Sequence, residues 1–306
     1  MAKAKVRLFF RIGYLGDAFH GSQIQPDVKT VQGELIRVFR SLKWLSGPEE
    51  EQLLVLSSRT DAGVHVRING GIVDLDASLW AALTPRKMIR AVDDRLDENV
   101  VLLTVEEVEA DFNPRMALHR VYRYRLEGME FWKEPDHEAF ASWLQLFVGT
   151  YDARNFARLE EGKNPIRTVL EASPWMDNGR LIGFEIKGEA FLWNQVRRVA
   201  NALFQLSVGE RTVGEIQDAI ARPLEPVDFG VAPPEWLILW GVAWERSPIP
   251  ASRHPTAFSA PPVGRTAERT RKGRWQKAAV HELKSMLYNE WATIGTLPVT
   301  RHRPSE

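Results

Sequence analysis

Ser57-Ser58-Arg59-Thr60-Asp61-Ala62-Gly63-Val64-His65 follows a short apolar run, residues 53–56, and precedes a mixed run, residues 71–75. The two runs read as strands, so the nine residues begin on a loop. Arg59 and Asp61 lie two apart, and in extended backbone both side chains leave the same side. A neighbouring guanidinium favours the charged form of a carboxylate. Thr60 is expected to bond local backbone, and Ala62-Gly63 to let the chain turn where a bulky residue would obstruct a ligand. The stretch offers one carboxylate on a loop with an open approach. Taken alone, an R-T-D triplet reads as an ordinary loop ion pair, a contact worth little at a surface.

Upstream, residues 6–14 alternate. Val6, Leu8, Phe10, Ile12 and Tyr14 face one way and Arg7, Phe9, Arg11 and Gly13 the other, the pattern of a half-buried strand. Residues 16–28 read as a loop. Thr30 is placed as an N-cap. Val31, Leu35, Val38, Phe39, Leu42 and Leu45 follow at helical spacing, up to a stop at Gly47-Pro48. Downstream, Thr84-Pro85 opens a helix over about residues 85–95, with Pro in its first turn, and residues 100–108 read as a strand. The order strand, helix, strand, strand, helix, strand is ferredoxin-like. It recurs: strand 119–127, helix 136–148, strands 165–171 and 181–187, helix 191–208 stopped by Gly209, and strand 236–244.

The predicted fold is therefore α+β, with two ferredoxin-like halves, residues 1–110 and 111–246. They are expected to join edge to edge into one antiparallel-rich sheet with a central cleft. Residues 247–306 form a Pro-rich and basic extension, with Arg265, Arg269, Arg271, Lys272, Arg274 and Lys277 close together. It reads either as a solvated tail or as an RNA-contacting arm, and residues 278–291 look helical.

The chain has 306 residues, enough for two domains with their own cores. Apolar residues make up 44% and charged residues 26%, the balance of a soluble globular protein. Cysteine is absent, which excludes disulfides and Cys-based zinc sites. Arg7 and Arg11 interrupt any signal-peptide core, and no apolar run approaches the roughly 20 residues of a membrane span. A cytoplasmic protein without a membrane partner is expected. The formal net charge is zero, which argues against an indiscriminate nucleic-acid binder but leaves a local basic groove open. The seven histidines are scattered, none sharing metal-ligand spacing with a carboxylate on one helix, so no metal is expected.

Two further segments could carry chemistry. In Arg120-Val121-Tyr122-Arg123-Tyr124-Arg125, alternation puts both tyrosines on one strand face. They read as ordinary cross-strand pairs, or as a ring beneath a flipped base with arginines near phosphates. In Phe191-Leu192-Trp193-Asn194-Gln195-Val196-Arg197-Arg198, the helical stripe of Val196, Val199 and Leu203 leaves Arg197 at its edge. A semi-buried Arg there needs an anion, which a nearby Glu would supply.

Arg59-Thr60-Asp61-Ala62-Gly63-Val64-His65 resembles the R-T-D-A-G-V-H signature of the TruA-type tRNA pseudouridine synthases. Other segments fit in order. Phe19-His20-Gly21-Ser22-Gln23-Ile24-Gln25 resembles F-x-G-W-Q-x-Q, with Ser22 in place of Trp. Thr30-Val31-Gln32-Gly33-Glu34-Leu35 matches the next element. Residues 120–125 resemble R-Y-x-Y, and residues 191–197 resemble F-x-x-x-x-V-R. Ser58 stands where the family usually has Gly. The resemblance covers about residues 6–245.

It implies an isomerase that converts uridine to pseudouridine in the anticodon stem-loop of tRNA, around positions thirty-eight to forty. The reaction changes no oxidation state, and no cofactor is implied. By the same resemblance Asp61 acts on the glycosidic bond of a flipped uridine. Arg197 pairs with Asp61 across the halves, Tyr122 packs against the uracil, and Arg59 fills the space the base leaves. Arg123 and Arg198 are candidates for RNA contact. His65 reads as structural. The implied partners are tRNA and a second copy of the chain. A single signature acid suits isomerisation better than hydrolysis, which needs a matched pair. Two other readings remain: a tRNA-folding protein of the same fold without catalysis, and a nucleosidase using Asp61 with a second acid.

Overall fold

The computed structural model describes residues 4–46, 54–245, 247–252, 257–261 and 268–295, with backbone alone for 268–272. The predicted helix stop at Gly47-Pro48, the first strand residue Leu53, and Arg265 lie outside the described residues. The side chains of Arg269, Arg271 and Lys272 do so too. The chain divides into two compact units. The first comprises Met1–Leu118, Gly241–His254 and Leu287–Glu306, and the second His119–Trp240 and Pro255–Met286. Each is α+β, and every described strand pair within them is antiparallel.

In the first unit, β1 (Lys5–Tyr14) lies between β3 (His65–Asp76) and β4 (Val100–Val108), and the short β2 (Val55–Leu56) pairs with β3. Leu8, Phe10, Ile12 and Tyr14 are buried as their alternation predicts. The other face of β1 is not solvated, however. Phe9 packs edge-on to Trp244 at 4.8 Å between ring centroids, and Arg11 is buried and donates to Ser247 and the Pro248 carbonyl. β1 is thus covered on both faces over residues 8–14. Helix α1 (Val31–Ser41) starts where predicted, with the Thr30 hydroxyl accepting the Gly33 N–H, but it ends before Leu42 and Leu45. Asp76 caps an unpredicted short helix, α2 (Ala77–Ala82). Thr84 caps α3 (Pro85–Asp93), with Pro at its start as expected.

β3 is longer than the predicted 71–75. Its first half alternates His65, Arg67 and Asn69 with Val66 and Ile68, and all five are buried. Arg67 donates from Nε to Glu290 Oε2 at 2.7 Å, with both side chains essentially inaccessible. Trp291 Nε1 donates to the Arg67 carbonyl at 2.9 Å. Charged residues survive in a strand covered on both sides because their partners are supplied from elsewhere in the chain.

In the second unit the strand order is β5 (His119–Tyr124), β8 (Arg180–Gly188), β7 (Ile166–Asp177) and β6 (Gly149–Asp152). β5 is shorter than predicted and gives way to a 3-10 turn over Leu126–Gly128. β7 runs well past its predicted end, and β6 is an addition. Asp136 caps α4 (His137–Gln145) by accepting two backbone N–H groups. Helix α5 (Gln195–Val208) begins four residues after the predicted start. Trp193 instead bridges to Arg158, and Asn194 turns the chain at φ +61°. The helix ends at Gly209 with φ +78°, the left-handed position that glycine tolerates. An unpredicted helix, α6 (Val213–Ala221), carries a complete capping box between Thr212 and Glu215. The last strand, β9 (Leu237–Ala243), contributes residues 237–240 to this unit and 241–243 to the first.

The C-terminal helix α7 (Glu268–Ile294) is longer than the predicted 278–291. Within the second unit it seats the buried Arg125. That guanidinium donates to the Ala279 carbonyl at 3.0 Å, to Glu282 at 3.1 Å and to Glu127 at 2.8 Å, and lies 4.2 Å from the Phe258 ring centroid. Strand periodicity says nothing of this role.

Candidate active site

Asp61 opens a turn closed by the Val64 N–H on the Asp61 carbonyl at 3.2 Å. Gly63 occupies its third position at φ +83°, where an L side chain would be strained. Arg59 is exposed and Asp61 half-buried, while Val64 and His65 are fully inside. The residue between the two charges is the fixed one. The Thr60 hydroxyl meets Tyr14 Oη at 2.8 Å rather than the local backbone predicted for it. The Thr60 N–H donates to Ser22 Oγ at 2.9 Å, and the Ser22 N–H donates to the Thr60 carbonyl at 3.1 Å. Three polar atoms of Thr60 are thus held by Tyr14 and Ser22, each bond worth on the order of 1 kcal/mol net.

The surroundings tighten this arrangement. Asn69 accepts the Ser58 N–H at 3.2 Å and donates to the Ser58 carbonyl at 2.8 Å. Burial pushes the Tyr14 phenol up to about 12, partly offset by hydrogen bonds with Thr60, Asn69 and Ser22. Tyr14 therefore keeps its proton at neutral pH and acts as a hydrogen-bonding hydroxyl, not as a base. His65 accepts the Gly16 N–H on Nδ1 at 3.1 Å from a fully buried position, the structural role expected of it. A Cβ on Gly16 would fall 2.1 Å from the Val64 carbonyl oxygen, so only glycine lets the two loops approach this closely.

The second unit carries the other predicted residues. Tyr122 pairs with Ile186 in the β5–β8 ladder, is 9% exposed, and has the Phe191 ring edge-on at 5.3 Å. Tyr124, on the same face, is fully buried and donates to the Pro233 carbonyl at 2.9 Å. Arg197 is half-buried at the edge of the α5 stripe, as its spacing predicts. It donates to the Ala232 carbonyl at 2.7 Å and to Asn194 Oδ1 at 3.2 Å. Arg198 donates to Asp228 at 2.6 Å. Arg123 donates to Glu185 at 2.6 Å and lies 3.7 Å from the Trp240 ring centroid. Arg123 and Arg198 thus already have carboxylate partners.

Sequence reasoning missed Tyr14 and Asn69 as supports of the loop, because nothing local marks a strand residue as the partner of a distant hydroxyl. Ser22 was visible as a departure from the family motif, though not its bond to Thr60. Among the described residues, no three His, Cys, Asp or Glu side chains converge to hold a metal ion, and no helix is long and apolar enough to cross a membrane.

A family model described as tRNA pseudouridine synthase matches residues 144–245. The tRNA pseudouridine synthase A of Thermococcus onnurineus is 36% identical over 245 residues, 78% of this chain and 85% of its own. That of Methanoculleus marisnigri is 36% identical over 259 residues, 81% of this chain and 89% of its own. That of Thermococcus gammatolerans is 37% identical over 246 residues, 78% of this chain and 85% of its own.

Proposed function

Because the chain belongs to the tRNA pseudouridine synthase family, we propose that it isomerises uridine to pseudouridine in the anticodon stem-loop of tRNA, at positions thirty-eight to forty, with Asp61 as the catalytic carboxylate. The activity, an isomerase acting on tRNA uridine, follows from the family. The choice of stem-loop and the residue roles are our reading, and they rest on the motifs. The observation that carries the roles is the Asp61 turn, which presents one carboxylate from a loop fixed at its neighbour Thr60.

The reaction breaks the C1′–N1 bond, turns the uracil and forms a C1′–C5 bond. The C5 proton leaves and N1 gains one, so no redox partner or energy source is needed. A paired uridine must first leave its stack, at a cost of a few kcal/mol. Asp61 then acts at the sugar–base bond as an anion, in the way glycosidase carboxylates act on theirs. Arg197 holds that carboxylate oriented, Tyr122 lies against the base, and Arg59 fills the vacated space in the helix. Arg123 and Arg198 reach phosphates by exchanging Glu185 and Asp228 for RNA. The protein acts in the cytoplasm as a homodimer. A dimer that joins basic surface from two copies reconciles RNA binding with a net charge of zero.

Incubation with an unmodified tRNA transcript tests the reading. Rearranged, chain-retained nucleotide supports it. Released uracil would indicate a nucleosidase, and tight binding without product would indicate the non-catalytic tRNA-folding protein.

A further inference from the structure

Helix α7 lies beyond the matched residues 144–245 and beyond every motif used above. Its described side chains sort by charge. Trp275, Ala279, Leu283, Met286, Leu287 and Trp291 are buried at the three-and-four spacing of one helical face. Residues 273–294 hold two acids, Glu282 and Glu290, and both lie on the side that faces protein. Glu282 accepts from Arg125 at 3.1 Å and from the Ser259 N–H at 3.1 Å. Glu290 accepts from Arg67 at 2.7 Å and from Ser252 at 2.5 Å.

The opposite face is different. Arg274, Lys277, His281 and Lys284 follow at intervals of three, four and three residues. The first three are exposed and Lys284 is half-buried. At about 1.5 Å per residue, Arg274 to Lys284 extends roughly 15 Å. In a chain with equal numbers of acids and bases, this face shows cations and no carboxylate of its own helix.

We propose that the outward face of α7, through Arg274, Lys277 and Lys284, is a contact surface for the phosphate backbone of the substrate tRNA. The inference rests on the tRNA reading above and adds a surface outside the family's motifs. A row of cations on a rigid helix matches a chain of regularly spaced anions. Contacts of this kind position RNA without reading its sequence, and they weaken as salt rises because releasing condensed counterions into more concentrated salt gains less.

The test uses the full chain with Arg274→Gln, Lys277→Gln and Lys284→Gln combined, and the double Arg274→Gln/Lys277→Gln at the two exposed positions in case Lys284 matters for folding. Equilibrium binding of an unmodified tRNA transcript is measured over about 50 to 300 mM salt. The triple variant should bind roughly tenfold or more weakly at the low-salt end. Its plot of log affinity against log salt should be shallower by about two, at about 0.7–0.9 per lost contact. The loss should be the same for different tRNA sequences, and pseudouridine formation at saturating tRNA should be unchanged. Unchanged affinity and slope in both variants would overturn the proposal, and an acidic protein partner for this face would give that result. The two readings fail separately. Absence of product from the wild type refutes the catalytic reading and leaves the slope measurement valid, whereas normal turnover with an unaltered slope refutes the surface alone.

Discussion

The hydroxyl of Ser22 accepts the backbone N–H of Thr60 at 2.9 Å, one residue before Asp61. The bond ties the loop of residues 19–25 to the turn that presents the carboxylate, at a position where related motifs carry Trp. Ser22→Ala leaves that N–H without its acceptor, at a cost of about 1–3 kcal/mol. A small displacement of a reacting group lowers rate more than binding. The expected outcome is a kcat roughly tenfold lower with KM for tRNA little changed, and near-normal kcat for Ser22→Thr, which restores an acceptor. A matched fall in both variants, or none in either, would show that the hydroxyl does not position Asp61.

Arg67 and Glu290 form a fully buried ion pair that ties the end of α7 to β3. Removing one partner strands a charge, so Glu290→Leu is expected to lower stability by about 3–5 kcal/mol. Arg67→Met combined with Glu290→Leu removes both charges and is expected to recover most of the loss. Urea unfolding of the wild type, the singles and the double checks this.

Burial pushes the Asp93 carboxyl up to about 6, against the pull of the Leu102 N–H it accepts at 2.8 Å. The folded state therefore prefers the proton. Its contribution to stability is complete below the unfolded value of about 3.8 and is lost as pH rises through about 6. Asp93→Asn keeps the acceptor and removes the charge. The variant should be more stable than the wild type at pH 7 by about 1–3 kcal/mol, with the gap closing below about pH 4. Thermal melts across pH 4–8 measure it.

The elements that announced themselves have local causes. The strand β1, the Thr30 cap, the helix start at Thr84-Pro85 and the Gly209 stop are each written within a few residues, and each appears where expected. Helix α6 carried a readable signal as well, because Thr212 and Glu215 have capping-box spacing. The first half of β3 was illegible for a different reason. His65, Arg67 and Asn69 read as polar loop until their partners are known, and the acid that neutralises Arg67 lies 223 residues away. Arg125 likewise finds Glu282 157 residues on. Asp61, Tyr122 and Arg197 are proposed as site residues from their motifs alone. The supports of the Asp61 turn are not legible in the sequence, because Tyr14, Ser22 and Asn69 act through hydrogen bonds set by the fold.

In the proposed function, Asp61 converts uridines of the anticodon stem-loop to pseudouridine. A nucleotide-resolution map of pseudouridine in unmodified tRNA, after incubation with the wild type and with Asp61→Asn, tests it most directly. The expected result is pseudouridine at positions thirty-eight to forty with the wild type, and none with the variant although it still binds tRNA. Folded wild-type protein that leaves every uridine intact, or a variant as active as the wild type, would contradict it.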